Sequence, residues 1–338
     1  MLDIKKIEEI DSEKMYKIYD EWPEIAKNHY EQNLNGVNFG KISHVVFSGM
    51  GGSGAISDIF SAILSKTNIH VDIVKGYLLP KTVNSDSLVV VTSVSGNTEE
   101  TLSTLISASN LKCKVIAFSD GGKIQEFCNK NNLEHRKISK IHSPRASFPA
   151  FLFSIIKILE PFLPIEKNDI YDALNQLFKQ RELISSKNCT KNNPAIGLAE
   201  WISDIPLIYY PCGLQGVAIR FKNSLQENAK MHAITEDVIE ACHNGIVSWE
   251  RKSNVKPILI QGTNDFVKTK ERWEILKEFF SEKKIDFKEI YSVEGSILSK
   301  IINLIYLLDY ATIYKSVILE TNPTPVDPIN FIKSKLDN

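Results

Sequence analysis

The chain has 338 residues, of which 43% are hydrophobic and 24% are charged, a composition typical of globular proteins rather than of disordered or fibrous ones. Its 40 basic and 41 acidic side chains leave a formal net charge of −1, so no global basic excess attracts nucleic acid or an anionic membrane. The five cysteines include no C-x-x-C pair, and the first residues lack the apolar core of a signal peptide, so we expect a cytoplasmic protein.

The first part of the chain alternates between helical and strand-like patterns. Residues 1–36 carry many charges, with apolar side chains at three- and four-residue spacing, which predicts an amphipathic helix packed on the rest of the fold. Four short apolar strands are then predicted at residues 44–47, 70–74, 88–91 and 114–118. Because helical patterns separate these strands, they indicate a parallel sheet covered on both faces. A helix over residues 150–159 closes this unit.

The same pattern starts again after a polar, Lys- and Asn-rich stretch at residues 164–195, which we interpret as a connecting helix and linker. Three strands are predicted at residues 206–210, 257–261 and 287–291, and three helices at 217–230, 269–280 and 296–319. The most apolar stretch, residues 301–319, contains Asp309 and Lys315, which indicates a helix buried in protein rather than in lipid.

We therefore predict two α/β domains in tandem, at residues 37–163 and 196–322. The N-terminal helical segment 1–36 precedes them, and the linker 164–195 joins them. A Pro-rich tail, residues 323–338, follows and is predicted to become helical only in its last turn.

The first strand ends in a glycine-rich turn that could bind an anion. Gly49-x-Gly51-x-x-Gly54 matches the dinucleotide fingerprint and lies between a strand and a helix, as that fingerprint requires. The fingerprint also needs an acidic residue about 20 positions on, at the tip of the second strand, whereas Asp72 falls inside that strand. A nicotinamide dehydrogenase and a merely structural turn both remain open, because the N-terminus of a helix attracts any anion.

The third strand ends in a turn rich in hydroxyl groups. Ser93, Ser95, Thr98 and Thr101 surround Gly96 at the start of a helix, and one hydroxyl would be enough for capping. Short hydroxyl donors combined with backbone N–H groups are suited to holding a phosphate monoester. Both turns follow strands of one predicted sheet, at the edge where open α/β sheets bind ligands.

The two turns together resemble the sugar isomerase (SIS) domain, and the whole chain resembles the family of bifunctional phosphoglucose/phosphomannose isomerases. The likeness extends to further blocks in the same order, at residues 144–149, 220–230, 240–244 and 327–333. It implies an α/β fold with two tandem flavodoxin-like SIS domains, each a parallel sheet with helices on both faces. It also implies a cofactor-free, metal-independent enzyme that interconverts fructose 6-phosphate with glucose 6-phosphate and mannose 6-phosphate through a cis-enediol. The family forms homodimers whose active site is shared between subunits.

The resemblance also implies a role for each site residue. Glu227 is the base that moves the C1/C2 proton, His243 and Lys333 open the sugar ring, and Arg145 stabilises the enediolate oxygens. The residues implied to hold the substrate and its phosphate are Gly52, Ser53, Ser93, Ser95 and Thr98. Lys335, two residues on, is the alternative to Lys333 as the ring-opening lysine. The resemblance places Thr324 in the segment beside C2 of the sugar, where a short side chain leaves space for either C2 epimer.

Read without the resemblance, these residues carry little information. A glutamate on a helix is ordinarily solvated, and a histidine such as His243 is ordinarily part of a core edge. The histidines show no H-x-x-x-H spacing, so no metal site is predicted. A non-catalytic regulator that binds phosphosugars and an isomerase for an amino-sugar or heptose phosphate remain alternatives.

Overall fold

The N-terminal segment forms three short helices. A computed structural model describes residues 2–336, and its first helices are α1 (Ile4–Ile10), α2 (Met15–Asp20) and α3 (Trp22–Glu31). The prediction of one helix is therefore wrong. Lys14, just before α2, has a left-handed backbone with φ of 59°, which separates α1 from α2. Pro23, in the first turn of α3, has no N–H to bond to the preceding turn, so α2 does not continue into α3. The apolar side chains of Met15, Tyr19 and Trp22 are nevertheless buried, as predicted.

The first sheet has five parallel strands. They are β1 (His44–Ser48), β2 (His70–Val74), β3 (Leu88–Thr92), β4 (Lys114–Ser119) and β5 (Glu134–Lys137). Four helices belong to this half, α4 (Gly51–Leu64), α5 (Glu99–Asn110), α6 (Gly122–Asn131) and α7 (Phe148–Leu159). The strand order is β2-β1-β3-β4-β5, so the chain reverses direction across the sheet between β1 and β3. This switch point opens a crevice at the carboxyl ends of the two strands.

Helices cover both faces of this sheet because its strands are apolar on both sides. Phe47 of β1 packs into the cluster that holds side chains of α4 and α7. The preceding Val46 points the other way, into the cluster with side chains of α5 and α6. This arrangement confirms the predicted covered parallel sheet.

The second half repeats this plan. After α8 (Lys167–Ile184) and α9 (Pro194–Trp201), four parallel strands follow, β6 (Ile205–Tyr210), β7 (Ile234–Asp237), β8 (Val255–Gln261) and β9 (Lys288–Tyr291). Its helices are α10 (Gln215–Asn228), α11 (Val238–Ala241), α12 (Val267–Glu282), α13 (Ile297–Ile318) and α14 (Asp327–Leu336). The strand order β7-β6-β8-β9 matches that of the first four strands of the other sheet. The predicted α/β class with two tandem parallel sheets is confirmed.

Helix α13 is the central helix of the molecule. It is long and apolar enough to cross a membrane, but 89% of its most apolar window is buried inside the protein, where it packs on α8, α9 and α10. Asp309 and Lys315 are buried with it, and each has a partner: Asp309 pairs with Arg220, and Lys315 donates to the carbonyl of Ile202. The largest hydrophobic cluster includes side chains from both halves, and the boundaries given above for the domains remain a prediction.

Several elements were not predicted from the sequence, namely the edge strands β5 and β7 and the helices α6, α9 and α11. Both strands carry half-buried polar side chains instead of an apolar run. The tail is helical over Asp327–Leu336 and not only in its last turn. Pro328 does not prevent this, because it lies in the first turn of α14. Backbone N–H groups in the first turn of a helix make no hydrogen bond within the helix, so a proline there breaks none.

Candidate active site

The glycine-rich turn between β1 and α4 is shaped to receive an anion. Gly51 has φ of +53°, and a Cβ atom added there would meet no atom within 4 Å. A Cβ added at Gly52 would lie 3.7 Å from Arg220 Nη1, so the bare glycine leaves space beside a guanidinium. Met50, at the N-cap position of α4, has only a thioether as a weak acceptor, and the first N–H groups of the helix are therefore suited to an external anion.

The second turn, between β3 and α5, is held together by its own hydroxyl groups. Ser93 Oγ and Thr98 Oγ1 are 2.9 Å apart, and the Gly96 N–H donates to Ser93 Oγ at 3.2 Å. Thr98 takes the N-cap position of α5, yet its hydroxyl pairs with Ser93 rather than with its own helix. Gly96 has φ of +69°, and an added Cβ would lie 1.7 Å from the Gly121 carbonyl oxygen, so no other residue fits. Ser95 is exposed at the tip of this turn.

The two turns adjoin at one edge of the sheet. Strands β1 and β3 are neighbours, with Ser48 and Val91 as partners in the parallel register. Because Gly49 follows Ser48 directly and Ser93 lies two residues beyond Val91, both turns leave the sheet at the same carboxyl edge. The structure therefore brings Gly52, Ser53, Ser93 and Thr98 to neighbouring turns.

Arg145 is the centre of a buried hydrogen-bond network that joins three parts of the chain. Its Nη1 donates to Glu227 Oε2 at 3.2 Å, and its Nε donates to Asn228 Oδ1 at 2.6 Å. Its Nη2 donates to the carbonyl oxygens of Pro323 and Thr324, at 2.6 and 3.0 Å. The side chain of Arg145 is 5% exposed and that of Glu227 is 27% exposed. The carboxylate therefore reaches solvent, whereas the guanidinium that bonds to it is buried.

Glu227 faces a cleft of about 650 Å³ formed by the end of α10, the glycine-rich turn and the tail. Lining residues that bear on its chemistry are Gly51, Glu227, Lys230, His232, Pro328 and Ile329. Lys230 Nζ donates to the Glu227 carbonyl at 2.6 Å and to the Pro323 carbonyl at 3.1 Å. Burial, with a smaller contribution from Arg145, lowers the pKa of Lys230 to about 8. The cleft thus presents a carboxylate next to the amine of Lys230, with the buried guanidinium of Arg145 bonded to the same carboxylate.

Arg220 is a second buried arginine that stabilises this network. The sequence alone predicts no role for it. Its Nη2 lies 2.6 Å from Asp309 Oδ2, and the same nitrogen donates to the Arg145 carbonyl at 3.0 Å. The guanidinium stacks on the ring of Phe148, 3.9 Å from its centroid. Burial raises the pKa of the Asp309 carboxyl, and Arg220 opposes that rise. The N-terminal helices contribute as well, since Trp22 Nε1 donates to the Ala146 carbonyl at 3.1 Å.

Of the predicted site residues only Glu227 lines this cleft, and His243 and Lys333 are exposed outside it. His243 is exposed on the segment that follows α11, at the edge strand of the second sheet. Lys333 is exposed on α14, four residues beyond the lining residue Ile329 and so on the same helix face. Lys335 lies on another face, with its Nζ 5.8 Å from the centroid of the Phe331 ring.

Thr324 lies where the tail meets the Arg145 network. Its carbonyl accepts from Arg145, and its side-chain oxygen is buried and pairs with none of the residues that the structure describes.

The acidic residue that a dinucleotide site needs is not at the tip of β2, where Lys75 pairs with Asp58 at 2.7 Å. Asp72 is instead in contact with His44 within the sheet. This geometry argues against the dehydrogenase alternative.

Comparison with known proteins agrees with this geometry. Residues 39–155 match the family model of the SIS domain, and residues 191–336 match that of the bacterial phospho-glucose isomerase C-terminal SIS domain. A bifunctional phosphoglucose/phosphomannose isomerase from Caldicellulosiruptor bescii is 32% identical over 334 residues, covering 93% of this chain and 96% of the relative. A D-glucosamine-6-phosphate 4-epimerase from Sulfolobus acidocaldarius is 26% identical, covering 73% of this chain and 77% of the relative.

Solved structures share the fold. The C-terminal domain of glucosamine-fructose-6-phosphate aminotransferase from Francisella tularensis superposes with a TM-score of 0.68 at 15% identity, covering 92% of this chain and 98% of that domain. At that identity the likeness concerns the architecture of two parallel sheets.

Proposed function

Because the chain belongs to the family of the bifunctional phosphoglucose/phosphomannose isomerases, we propose that it interconverts fructose 6-phosphate with glucose 6-phosphate and with mannose 6-phosphate. The observation that carries this proposal is the Glu227 carboxylate, which faces the cleft with its Oε2 3.2 Å from Arg145 Nη1. Aldose–ketose isomerisation moves one proton between adjacent carbons, and a carboxylate held by a fixed cation is suited to that transfer.

The reaction begins with the closed ring of the sugar. In our proposal, Lys333 and His243 act as the acid/base pair that protonates the ring oxygen and removes the proton of the anomeric hydroxyl, which yields the open chain. Glu227 then takes a proton from C1 of fructose 6-phosphate and returns it to C2. Between these two transfers the substrate is a cis-enediol, and the proton on O1 passes to O2 as the carbonyl changes place.

Arg145 stabilises the negative charge that develops on the enediol oxygens. Its Nη1 has a second N–H besides the one directed at Glu227, and the other guanidinium donors are committed to Asn228 and the tail. A fixed guanidinium of this kind needs little reorganisation as charge develops. The proton moves between carbon atoms through a carboxylate, so this chemistry requires no metal or cofactor. Delivery of the returning proton to either face of C2 gives glucose or mannose 6-phosphate.

The two turns hold the phosphate in this proposal. Gly52 offers its backbone N–H and Ser53 its hydroxyl group at the start of α4, while Ser93, Ser95 and Thr98 offer hydroxyl groups at the neighbouring strand end. A dianionic phosphate is favoured at this edge because two helix N-termini lie there. The net charge of −1 does not oppose this, since the attraction is local.

We further propose that the active protein is a homodimer in which the partner subunit's His243 completes each cleft. Within one described chain His243 is exposed and stands apart from the cleft lining around Glu227. Helix α14, which carries Lys333, exposes Phe331, Ile332 and Leu336 to 61%, 57% and 55%, a hydrophobic stripe that a second subunit would cover. We expect this dimer to be soluble and to work in the cytoplasm.

A panel of sugar phosphates tests the function. Purified protein, treated with EDTA, is incubated separately with fructose, glucose and mannose 6-phosphates and with D-glucosamine 6-phosphate. We expect interconversion of the first three and an unchanged fourth substrate. Inversion at C4 of D-glucosamine 6-phosphate without aldose–ketose conversion would instead assign the activity named for the Sulfolobus acidocaldarius relative. Binding of the sugar phosphates without turnover would indicate the regulator alternative.

A further inference from the structure

Three side chains of metal-ligating type meet on the first sheet, at the edge opposite the cleft. His44 and His70 are the first residues of β1 and β2, and they are partners in the parallel register. Asp72 lies two residues after His70, so strand alternation places it on the same face. The carboxyl ends of these strands carry the glycine-rich turn, whereas this cluster lies at their amino ends.

The three ligand atoms are close enough for one ion. Asp72 Oδ2 lies 2.9 Å from His44 Nε2 and 3.5 Å from His70 Nε2, and all three atoms are within 4.8 Å of one another. A tetrahedral zinc ion with bonds of about 2.0–2.2 Å separates its ligand atoms by roughly 3.3–3.5 Å. The separation of His70 from Asp72 already has that value, the separation of His44 from Asp72 must lengthen by about 0.4 Å, and rotation of the exposed His70 would adjust the third.

The neighbouring strand orients the inner histidine in the way metal sites require. His44 Nδ1 lies 3.0 Å from Ser87 Oγ, just before β3, which directs Nε2 towards Asp72. Metal-binding histidines commonly use their second nitrogen for such a hydrogen bond, which fixes the ring and its tautomer. Ser87 is itself fixed, because it is 1% exposed and its Oγ accepts from the Asn84 N–H at 3.1 Å.

We propose that His44, His70 and Asp72 form a binding site for a transition-metal ion of the Zn²⁺ or Co²⁺ type, with water in the fourth position. Two imidazoles and one carboxylate suit these ions, whereas Mg²⁺ and Ca²⁺ prefer oxygen ligands alone. On binding, the metal replaces the contact between His44 Nε2 and Asp72, and the single proton of the neutral imidazole lies on Nδ1, towards Ser87 Oγ. The ligands come from two strands, so the ion binds the folded chain and stabilises the junction of the edge strand β2 with β1.

Titration with the metal alone tests this site, without any substrate. Cys212 is an exposed cysteine and would bind these ions as a thiolate, so Cys212→Ser serves as the background for every sample. In this background we expect one Co²⁺ per chain, with visible absorption typical of tetrahedral cobalt, and a higher melting temperature in Zn²⁺. His70→Ala and Asp72→Asn should each weaken Co²⁺ binding at least tenfold.

A histidine on the other edge strand of the same sheet provides the matched control. His135 lies on β5 and pairs with Ser119, so His135→Gln changes an edge-strand histidine outside the cluster and should leave Co²⁺ binding unchanged. His70 has a side chain 64% exposed, and its substitution is expected to leave the fold intact, as circular dichroism would verify. Absence of stoichiometric binding in the background protein, or equal binding by His70→Ala, Asp72→Asn and His135→Gln, would overturn the proposal.

Discussion

Arg145 Nη1 donates a hydrogen bond to Glu227 Oε2 at 3.2 Å, across 82 residues of sequence. Asn228, next to Glu227 in sequence, accepts from Arg145 Nε, so the last turn of α10 is held by two bonds to one guanidinium. This relationship fixes the carboxylate at the cleft and, in the proposed reaction, keeps a cation beside the enediol oxygens.

Replacement of Glu227 by glutamine removes the proposed base and keeps the shape of the side chain. We expect kcat for fructose 6-phosphate to fall by about 10²–10⁴-fold, the usual contribution of a positioned acid or base, with a KM within about threefold of wild type. KM should change little because the variant keeps the proposed phosphate contacts. Steady-state kinetics of the purified variant measures both constants.

Glu278→Gln is the matched control for that variant. Glu278 is an exposed glutamate on α12, remote from the network of Arg145, and we expect wild-type kinetics from its glutamine variant. Wild-type kcat in Glu227→Gln would show that another group moves the proton.

Mixing two inactive variants tests whether the active site is shared. Glu227→Gln and His243→Ala should each be inactive alone, because each dimer then lacks one group in both clefts. In a mixed dimer one cleft has both changes and the other has neither, so refolding an equal mixture should restore about a quarter of wild-type activity, since half of the dimers are mixed. Sedimentation analysis verifies the dimer. If activity does not recover in verified mixed dimers, both residues act within one chain or the role of His243 is wrong.

Lys230 predicts a pH dependence. Its pKa is lowered to about 8, chiefly by burial, so the ammonium that lines the cleft beside Glu227 loses its charge as pH rises through that value. We expect kcat/KM to decline above about pH 8 and expect Lys230→Met to lower it roughly tenfold at neutral pH, with a flatter alkaline limb. Lys230→Arg keeps its charge and should move the decline to higher pH. An alkaline limb identical in all three proteins would exclude Lys230 as its source.

Unfolding does not account for that alkaline decline. Since the pKa of Lys230 is lower in the folded chain, its ammonium destabilises the fold below about pH 8. Between that pH and its ordinary pKa of 10.5 the unfolded chain binds more protons, so this residue makes folding more favourable as pH rises. Thermal melts at each pH of the kinetic series separate the two effects.

The buried pair Arg220–Asp309 predicts a large effect on stability. Both side chains are at most 2% exposed, so Arg220→Met leaves an unpaired carboxylate inside the protein and should lower the free energy of unfolding by about 3–5 kcal/mol. Arg220→Met combined with Asp309→Leu removes both charges and should recover most of that loss. Urea unfolding measures the difference.

An exposed pair provides the comparison for the buried one. Lys268 and Glu271 are 2.7 Å apart on α12 with side chains 70% and 51% exposed, and Lys268→Met should cost less than about 1 kcal/mol. Equal losses in Lys268→Met and Arg220→Met would mean that the buried pair does not support the core beneath Arg145.

Local signals in the sequence predict the strand ends and their turns. Gly51 and Gly96 have a positive φ, and apolar runs precede both turns, so the sequence alone places two glycine-containing turns at strand ends of one sheet, where anion binding is predicted. Polar edge strands such as Glu134–Lys137 carry no such signal, because they bury neither face fully. The helix break at Lys14 depends on a backbone conformation that residue spacing does not encode.

Long-range contacts could not be predicted in this way. The Arg145 network joins residues 82 to 179 positions apart, and the role of Arg220 depends on Asp309, 89 positions away. The cluster of His44 and His70 escapes a search for H-x-x-x-H spacing because its members meet through strand register. The roles of Glu227, His243 and Lys333 came from the family resemblance, and they stay predictions until the variants are measured.

Proton NMR of fructose 6-phosphate incubated with the protein in D₂O tests the central claim most directly. The account predicts anomeric signals of both glucose 6-phosphate and mannose 6-phosphate, with deuterium at C2 in at least part of each product, because the proton passes through a carboxylate that exchanges with solvent. An unchanged fructose 6-phosphate spectrum would contradict the proposed activity, and aldose products without any deuterium at C2 would contradict the enediol route.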